Sequence, residues 1–391
     1  MSEYQYYEFQ AVDRPLDARE LSAVRSCSSR ATISSTRFVN SYNWGDFKGS
    51  VSEWMERYYD AFAYLANWGT RQFQLRLPAR LLDLATAKLY CPCDPARARK
   101  KGEFVILEFE SDDDGDGDWD DDGSGWLGSL VSLRADIAAG DYRALYLGWL
   151  LCAQSGALDD DAVEPPLPPE LAEPTAALEA FTDFLRIDED WLGAAAIGSA
   201  TGMKGDDPER EIRTWIAGLA SKEKDRWLLD LATGKTPNLR AELLREFRMA
   251  GSASQTIPRV RTVAEIRHTA ERIAKARRRK EAQRAAEDRV RRQREEAERR
   301  EKALAELAKR EPAAWKEVDA FIRSKKPIDY DKAVALLMDL ADLGKRRNQA
   351  EEAEARIRTI RETYASRPAL IRRLDDAGLG RLPVRAAGSA R

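Results

Sequence analysis

The chain holds one histidine, His268, and four cysteines in 391 residues. A histidine-based triad needs its imidazole beside a nucleophile and an orienting acid, and His268 stands in a run of charge instead. Multi-histidine metal centres are excluded outright. Cys91-Pro-Cys93 could begin a metal-binding pair, but no second ligand pair of suitable spacing follows, and Cys27 and Cys152 are isolated. Four cysteines in this length do not make a disulfide scaffold. No glycine-rich run precedes a Lys-Ser or Lys-Thr pair, and no G-x-G-x-x-G joins a strand to a helix, so nucleotide-dependent chemistry lacks support. Neither a metal nor a cofactor is expected. The most apolar stretch, residues 144–152, is too short to span a bilayer. The first residues carry no basic end followed by an apolar run. The expectation is a cytoplasmic chain with no membrane partner.

What is abundant is helix-forming charge. Of the 55 residues in 258–312, 40 are Ala, Glu, Lys or Arg, and a helix over 259–311 would extend roughly 70 Å at about 1.5 Å per residue. Thr262-Val263-Ala264-Glu265 has the capping-box pattern, and Pro312 limits the far end. Acid-to-base pairs recur four residues apart, as in Glu287 to Arg291, Asp288 to Arg292 and Glu296 to Arg300, each contributing about 0.3–0.5 kcal/mol. Packing signals occur only at the ends: Val263, Ile266, Ala270 and Ile273 follow 3-4-3 spacing at one, and Leu304 and Leu307 mark the other. Between them the same register falls on Arg277, Lys280 and Arg284. That pattern describes a solvated helix docked at its ends rather than a continuous coiled coil.

Residues 275–294 hold ten Lys and Arg against three acids. Arg277, Arg278, Arg279, Lys280, Arg291 and Arg292 are therefore the candidates for binding a protein partner or nucleic acid, because a cationic stripe releases phosphate counterions or meets an acidic surface.

Residues 1–110 read as an α+β domain. Strands are expected at 4–13, 31–34, 36–44 and 72–77, with a short helix from Asp17. A longer helix capped by Ser50 or Ser52 would carry Trp54, Met55, Tyr58, Tyr59, Phe62 and Leu65. The order strand-helix-strand-strand-helix-strand predicts a ferredoxin-like sandwich, extended by a helix at 80–90 and a strand at 103–109. If that sheet had an open aromatic face, Tyr4, Tyr6, Phe38 and Tyr42 would be the residues to stack bases. The glycine-aromatic signature of RNA-recognition sheets is absent.

An acidic loop at 108–125 follows, with ten carboxylates between Glu108 and Asp122. Asp112, Asp114, Asp116 and Gly117 match the first half of a calcium loop, as do Asp118, Asp120, Asp122 and Gly123. The twelfth positions are Gly123 and Ser129, not the bidentate glutamate such loops need. A carboxylate-based active site in the N-terminal domain stays open, because spacing alone singles out no acid pair.

Residues 126–250 have helical periodicity, with a hairpin at 126–139 and 142–154, a Pro-rich connector at 164–169, and helices near 175–185, 190–200, 209–220, 222–233 and 239–249. Residues 313–380 form a helical module. Its "YDKAVALLMDLADL" and "RPALIRRLDDAGL" patterns resemble the C-terminal helical segment of bacterial SWIM zinc-finger proteins. The CxC and CxH zinc motif of that family is absent, so the resemblance implies a helical interaction module and no metal. The front half, with "YNWGDFKG", "YLANWGT" and "YRALYLGWLL", is similar to a bacterial family of uncharacterised activity. The combined expectation is a mostly helical α+β protein that binds a protein partner without catalysis, with nucleic-acid association as the alternative.

Overall fold

Side-chain alternation divides strand β1, Gln5–Gln10, between two faces: Tyr7 and Phe9 enter a core on one side, and Tyr6 and Glu8 are buried on the other. The computed structural model describes residues 3–112, 122–199, 208–234, 238–252 and 260–380. Helix α1, Ala18–Cys27, starts on a capping box in which Asp17 accepts from the Glu20 N–H at 2.8 Å and Glu20 accepts from the Asp17 N–H at 2.9 Å. Strands β2, Thr32–Ile33, and β3, Arg37–Tyr42, precede helix α2, Val51–Arg57, which is capped by the Ser50 hydroxyl. Strand β4, Ala61–Ala66, then pairs antiparallel with β1. The order β2-β3-β1-β4 with antiparallel neighbours is the expected ferredoxin-like arrangement. Val24 of α1 with Trp54 and Met55 of α2 covers Phe9, Phe38 and Phe62 on one face.

The helix expected to run through Leu65 ends at Arg57, and its last third is the fourth strand instead. The run Ala61-Phe62-Ala63-Tyr64-Leu65-Ala66 suits either period, and burial on both faces settles it: Phe62 and Tyr64 enter one core, and Ala61, Ala63 and Leu65 the other.

Strand β5, Arg71–Pro78, helix α3, Leu84–Tyr90, and strands β6, Pro92–Cys93, β7, Ala96–Lys101, and β8, Phe104–Ser111, extend the sheet in the order β5-β8-β7-β6. In β7 alanine alternates with arginine, so Ala96 and Ala98 join the core while Arg97 and Arg99 ion-pair with Glu108 on the opposite face.

The helices that follow cover the second face. They are α4, Trp126–Leu130, α5, Leu133–Ala138, α6, Arg143–Gln154, α7, Ala176–Leu185, and α8, Glu189–Ala196. Helix α6 is buried from Arg143 through Ala153, and Gly148 in it lets the Phe109 ring approach. Sheet and helices share one hydrophobic core. The division expected between 1–110 and 126–250 therefore falls inside a single compact unit, Met1–Arg278. That unit also includes α9, Pro208–Gly218, α10, Ser221–Thr233, and α11, Leu239–Ser252, with Trp215 against Phe247.

The most buried carboxylate of this unit is densely paired. Asp60, 1% exposed, accepts from the Val12 and Asp13 N–H groups at 2.7 and 3.0 Å and from Arg76 at 2.8 Å. Arg134 of α5 lies 3.8 Å from the same carboxylate and 2.6 Å from Asp13.

Helix α12, Val263–Lys309, is 47 residues long. Its start belongs to the first unit, where Val263, Ile266 and Ala270 are buried. The second unit, Arg279–Arg391, contains its later turns with α13, Glu311–Arg323, α14, Pro327–Arg346, α15, Ala350–Thr363, and α16, Pro368–Asp376. Pro312 stands in the first turn of α13, where its missing N–H costs nothing, so the helix breaks at Arg310 as the proline demands. Leu304, Leu307, Trp315, Leu337, Ile357 and Leu374 share the core of this unit.

Two substitutions test the packing with opposite signs. A Cβ on Gly148 would lie 2.6 Å from the Phe109 ring, which Phe73 and Phe181 confine. Gly148→Ala should lower stability by about 1–2 kcal/mol, because overpacking outweighs the better helix propensity. The Tyr59 hydroxyl is buried with no hydrogen-bond partner among the described residues. Tyr59→Phe should therefore leave the urea midpoint unchanged or raise it.

Candidate functional site

The start of α12 is fixed by a dense polar junction. The Thr262 hydroxyl accepts from the Glu265 N–H at 3.3 Å, and Glu265 accepts from the Thr262 N–H at 3.0 Å, forming the expected capping box. Arg261 makes a two-pronged pair with Glu164 at 2.6 and 2.7 Å. It also donates to the carbonyls of Ala194, Ala195 and Ile197 at the end of α8, which are otherwise left without helical partners. Glu164 accepts in turn from the Tyr146 hydroxyl. Beside this junction is an open cavity of about 580 Å³ lined by Val163, Pro166, Ile197, Val260 and Arg261.

Sequence placed six basic residues together, and the fold treats them differently. Arg277 is bound to α8, with Nη2 at 2.8 Å from Asp190 and Nε at 3.0 Å from Glu189. Its guanidinium holds the buried Asp190 carboxyl below the usual carboxylate range. Arg278, Arg279, Lys280 and Arg292 are exposed. Arg291 is exposed and pairs with Asp288 at 2.7 Å. Lys280, Arg284 and Arg291 continue the helix face that Ile266 and Ile273 occupy in the core, since steps of three, four and seven residues return to one side. Through residues 278–303 only Asp288 is half-buried; the rest of the stretch is exposed.

The within-helix pairs differ from those expected. Arg294 with Glu298 at 2.9 Å forms in the reverse, base-first order. Arg300, expected to meet Glu296, instead meets Asp339 at 2.5 Å and Asp342 at 2.8 Å on α14. A tertiary partner with two carboxylates outweighs one local acid. Charge is also divided along the chain. Arg279–Arg391 carries 29 Lys and Arg against 21 acids, whereas Met1–Arg278 carries 35 against 46. The near-neutral total conceals a basic second unit.

The four aromatics proposed for base stacking do not share an exposed face. Phe38 is fully buried under α1 and α2. Tyr42 is half-buried on that same side, edge-on to Tyr7. Tyr6 points to the other face, where Gly123 lies so close that an added Cβ would be 2.7 Å from the ring. The Tyr4 hydroxyl donates to the Asp122 carbonyl at 2.8 Å. Phe38 and Tyr6 are buried, whereas Tyr4 and Tyr42 are half-buried, so the four rings do not form one stacking platform.

Cys152, isolated in sequence, lies beside Cys93 in the fold: its Sγ is 3.4 Å from the Cys93 carbonyl. Burial, then the neighbouring thiols, raises Cys91 well above the ordinary range, and burial pushes Cys152 up to about 12. No group of His, Cys, Asp and Glu able to hold a metal occurs among the described residues. Of the residues that match the first halves of the two calcium loops, only Asp112, Asp122 and Gly123 are among the described residues. Among the described acids, Glu110 and Asp136 are raised chiefly by burial; one is on β8 and the other on α5, and neither lines the cavity. No helix is long and apolar enough to cross a membrane, among the described residues. Comparisons of the chain with protein-family models, curated proteins and solved structures found no match.

Two measurements follow from this geometry. In the native protein at pH 8, a thiol reagent should modify Cys27 and Cys93 first, with Cys91 and Cys152 reacting only after denaturation. The Asp190 carboxyl has a lowered folded pKa, so its stabilisation is present above the ordinary Asp range near about 3.9 and is lost as pH falls through the lower folded value. Asp190→Asn should therefore lower the thermal midpoint at neutral pH, and the gap from the parent protein should close in strong acid.

Proposed function

We propose that this chain is a non-enzymatic interaction protein that docks an acidic protein partner on the exposed stretch of α12. The observation that carries the reading is residues 278–303: an exposed, charge-rich run of helix, with buried turns of α12 before it in one core and after it in another. A helix held in this way presents Arg278, Arg279, Lys280, Arg284 and Arg292 already ordered, so less conformational entropy is lost on binding. The likeness of 313–380 to the helical tail of SWIM proteins supports a docking role for that module. A reducing compartment, the cytoplasm, suits four cysteines that are all free thiols. A second reading takes the same stripe as a phosphate-binding surface for nucleic acid, favoured by the ten-to-three excess of base over acid in 275–294.

Co-purification from host lysate, with and without nuclease, separates the two. A defined protein should remain bound after nuclease treatment and be lost from Arg278→Glu/Arg279→Glu/Arg292→Glu, a variant that keeps its helical circular dichroism. Retention of the partner by that variant would reject the α12 surface. Loss of all bound material on nuclease treatment would favour the nucleic-acid reading.

A further inference from the structure

One end of the sheet exposes aromatic rings that no core requires. Gln5 pairs with Tyr42 on one side and with Ala66 on the other. The segments leaving β3 and entering the β4–β5 turn therefore emerge on either side of the start of β1. Trp44 and Trp68 stand in these segments, 77% and 46% exposed. Isolated exposed apolar residues are ordinary, but tryptophan is large, and here two stand at the same end of one sheet.

Hydrogen bonds hold the backbone beneath both indoles. Gln5 Nε2 donates to the Gly45 carbonyl at 3.0 Å, next to Trp44. The Tyr4 N–H donates to Asn67 Oδ1 at 2.9 Å, and the Asn67 N–H returns to the Tyr4 carbonyl at 3.0 Å, next to Trp68. Gly69, with φ at +107°, closes the turn after Trp68 in a conformation that favours glycine.

The same end carries carboxylates. Asp46 lies two residues from Trp44, and Asp112 follows Ser111, whose register partner Arg71 opens β5 just beyond the turn. Asp122 joins this end through the Tyr4 hydroxyl, which donates to its carbonyl. All three acids are exposed. The nearby arginines are engaged inward. Arg71 donates to the Asp183 and Phe184 carbonyls and lies over the Trp126 ring, while Arg186 donates to the Gly69 carbonyl at 2.7 Å. Lys48, farther along the loop, is exposed.

We propose that this end of the sheet binds a Lys- and Arg-rich peptide segment of a partner protein, its cations stacking on Trp44 and Trp68 and pairing with Asp46, Asp112 and Asp122. Tryptophan is the strongest aromatic partner for a cation, and flanking carboxylates select that sign of charge. Phosphate backbones and anionic lipid could use the rings but would meet the acids as like charges. The surface is on the first unit and does not depend on the α12 reading.

The test is fluorescence anisotropy of a labelled peptide of alternating Lys and Arg against the full-length protein at low and moderate salt. A Glu-rich peptide, single-stranded oligothymidylate and phosphatidylglycerol vesicles serve as competing probes. The basic peptide should bind and the others should not. Trp44→Ala/Trp68→Ala should weaken it roughly tenfold with unchanged circular dichroism, and Asp112→Asn/Asp122→Asn should flatten its salt dependence. Binding indifferent to the tryptophans would overturn the proposal, as would no binding at low salt or tighter binding of oligothymidylate or vesicles. A shift from dimer to monomer in the tryptophan variant would assign the surface to a second copy and overturn it equally.

Discussion

The first unit depends on one sheet whose central strands have apolar side chains on both faces. Every residue of β4 is buried: Phe62 and Tyr64 pack toward α1 and α2, while Ala61, Ala63 and Leu65 pack toward the helical layer. Water must be excluded from both sides at once, so neither layer of helices is optional. Truncating one buried aromatic such as Phe62 would cost about 3–5 kcal/mol, a large part of a typical domain's stability. The Asp60, Arg76, Arg134 and Asp13 group binds the strand ends to α5 across the layers. Removing one member would leave buried charge unpaired, which is more damaging than the pair is stabilising.

Helix α12 obeys a different balance. It has little apolar surface along its middle, and its local ion pairs each contribute only a few tenths of a kcal/mol. Side chains near its ends find stronger partners elsewhere: Arg277 on α8 in the first unit, and Arg300 on α14 in the second. Both remain partly exposed while engaged in this way, so a count of charge along α12 overstates what a partner could meet. Arg277 in particular belongs to the folded interior electrostatics of its own unit.

Much of the fold is legible from local chemistry. The capping boxes at Asp17 and Thr262, the stop at Pro312 and most helices between 175 and 252 follow from residues within one turn of each other. The hardest segment is Ala61–Ala66, whose six apolar residues satisfy both periods until a β1 on one side and a β5 on the other claim its backbone. Strand β7 left a readable trace, the Ala-Arg-Ala-Arg alternation, which charge content obscured. The exposed tryptophans left none, because composition cannot distinguish a ring in the core from one in solvent.

The sequence by itself determined the class of the molecule: a mixed α+β chain rich in helix, a long charged helix with apolar ends, and no histidine cluster for familiar catalysis. These are properties of residue type and spacing, and they survive any arrangement of the elements. Only tertiary structure decided which charges and rings are available. It buried Phe38, covered Tyr6, joined Arg277 to Asp190, brought Cys152 to Cys93, and left Trp44 and Trp68 in solvent. Exposure and pairing depend on groups distant in the chain, often more than fifty residues away, and no local pattern encodes which distant group will arrive.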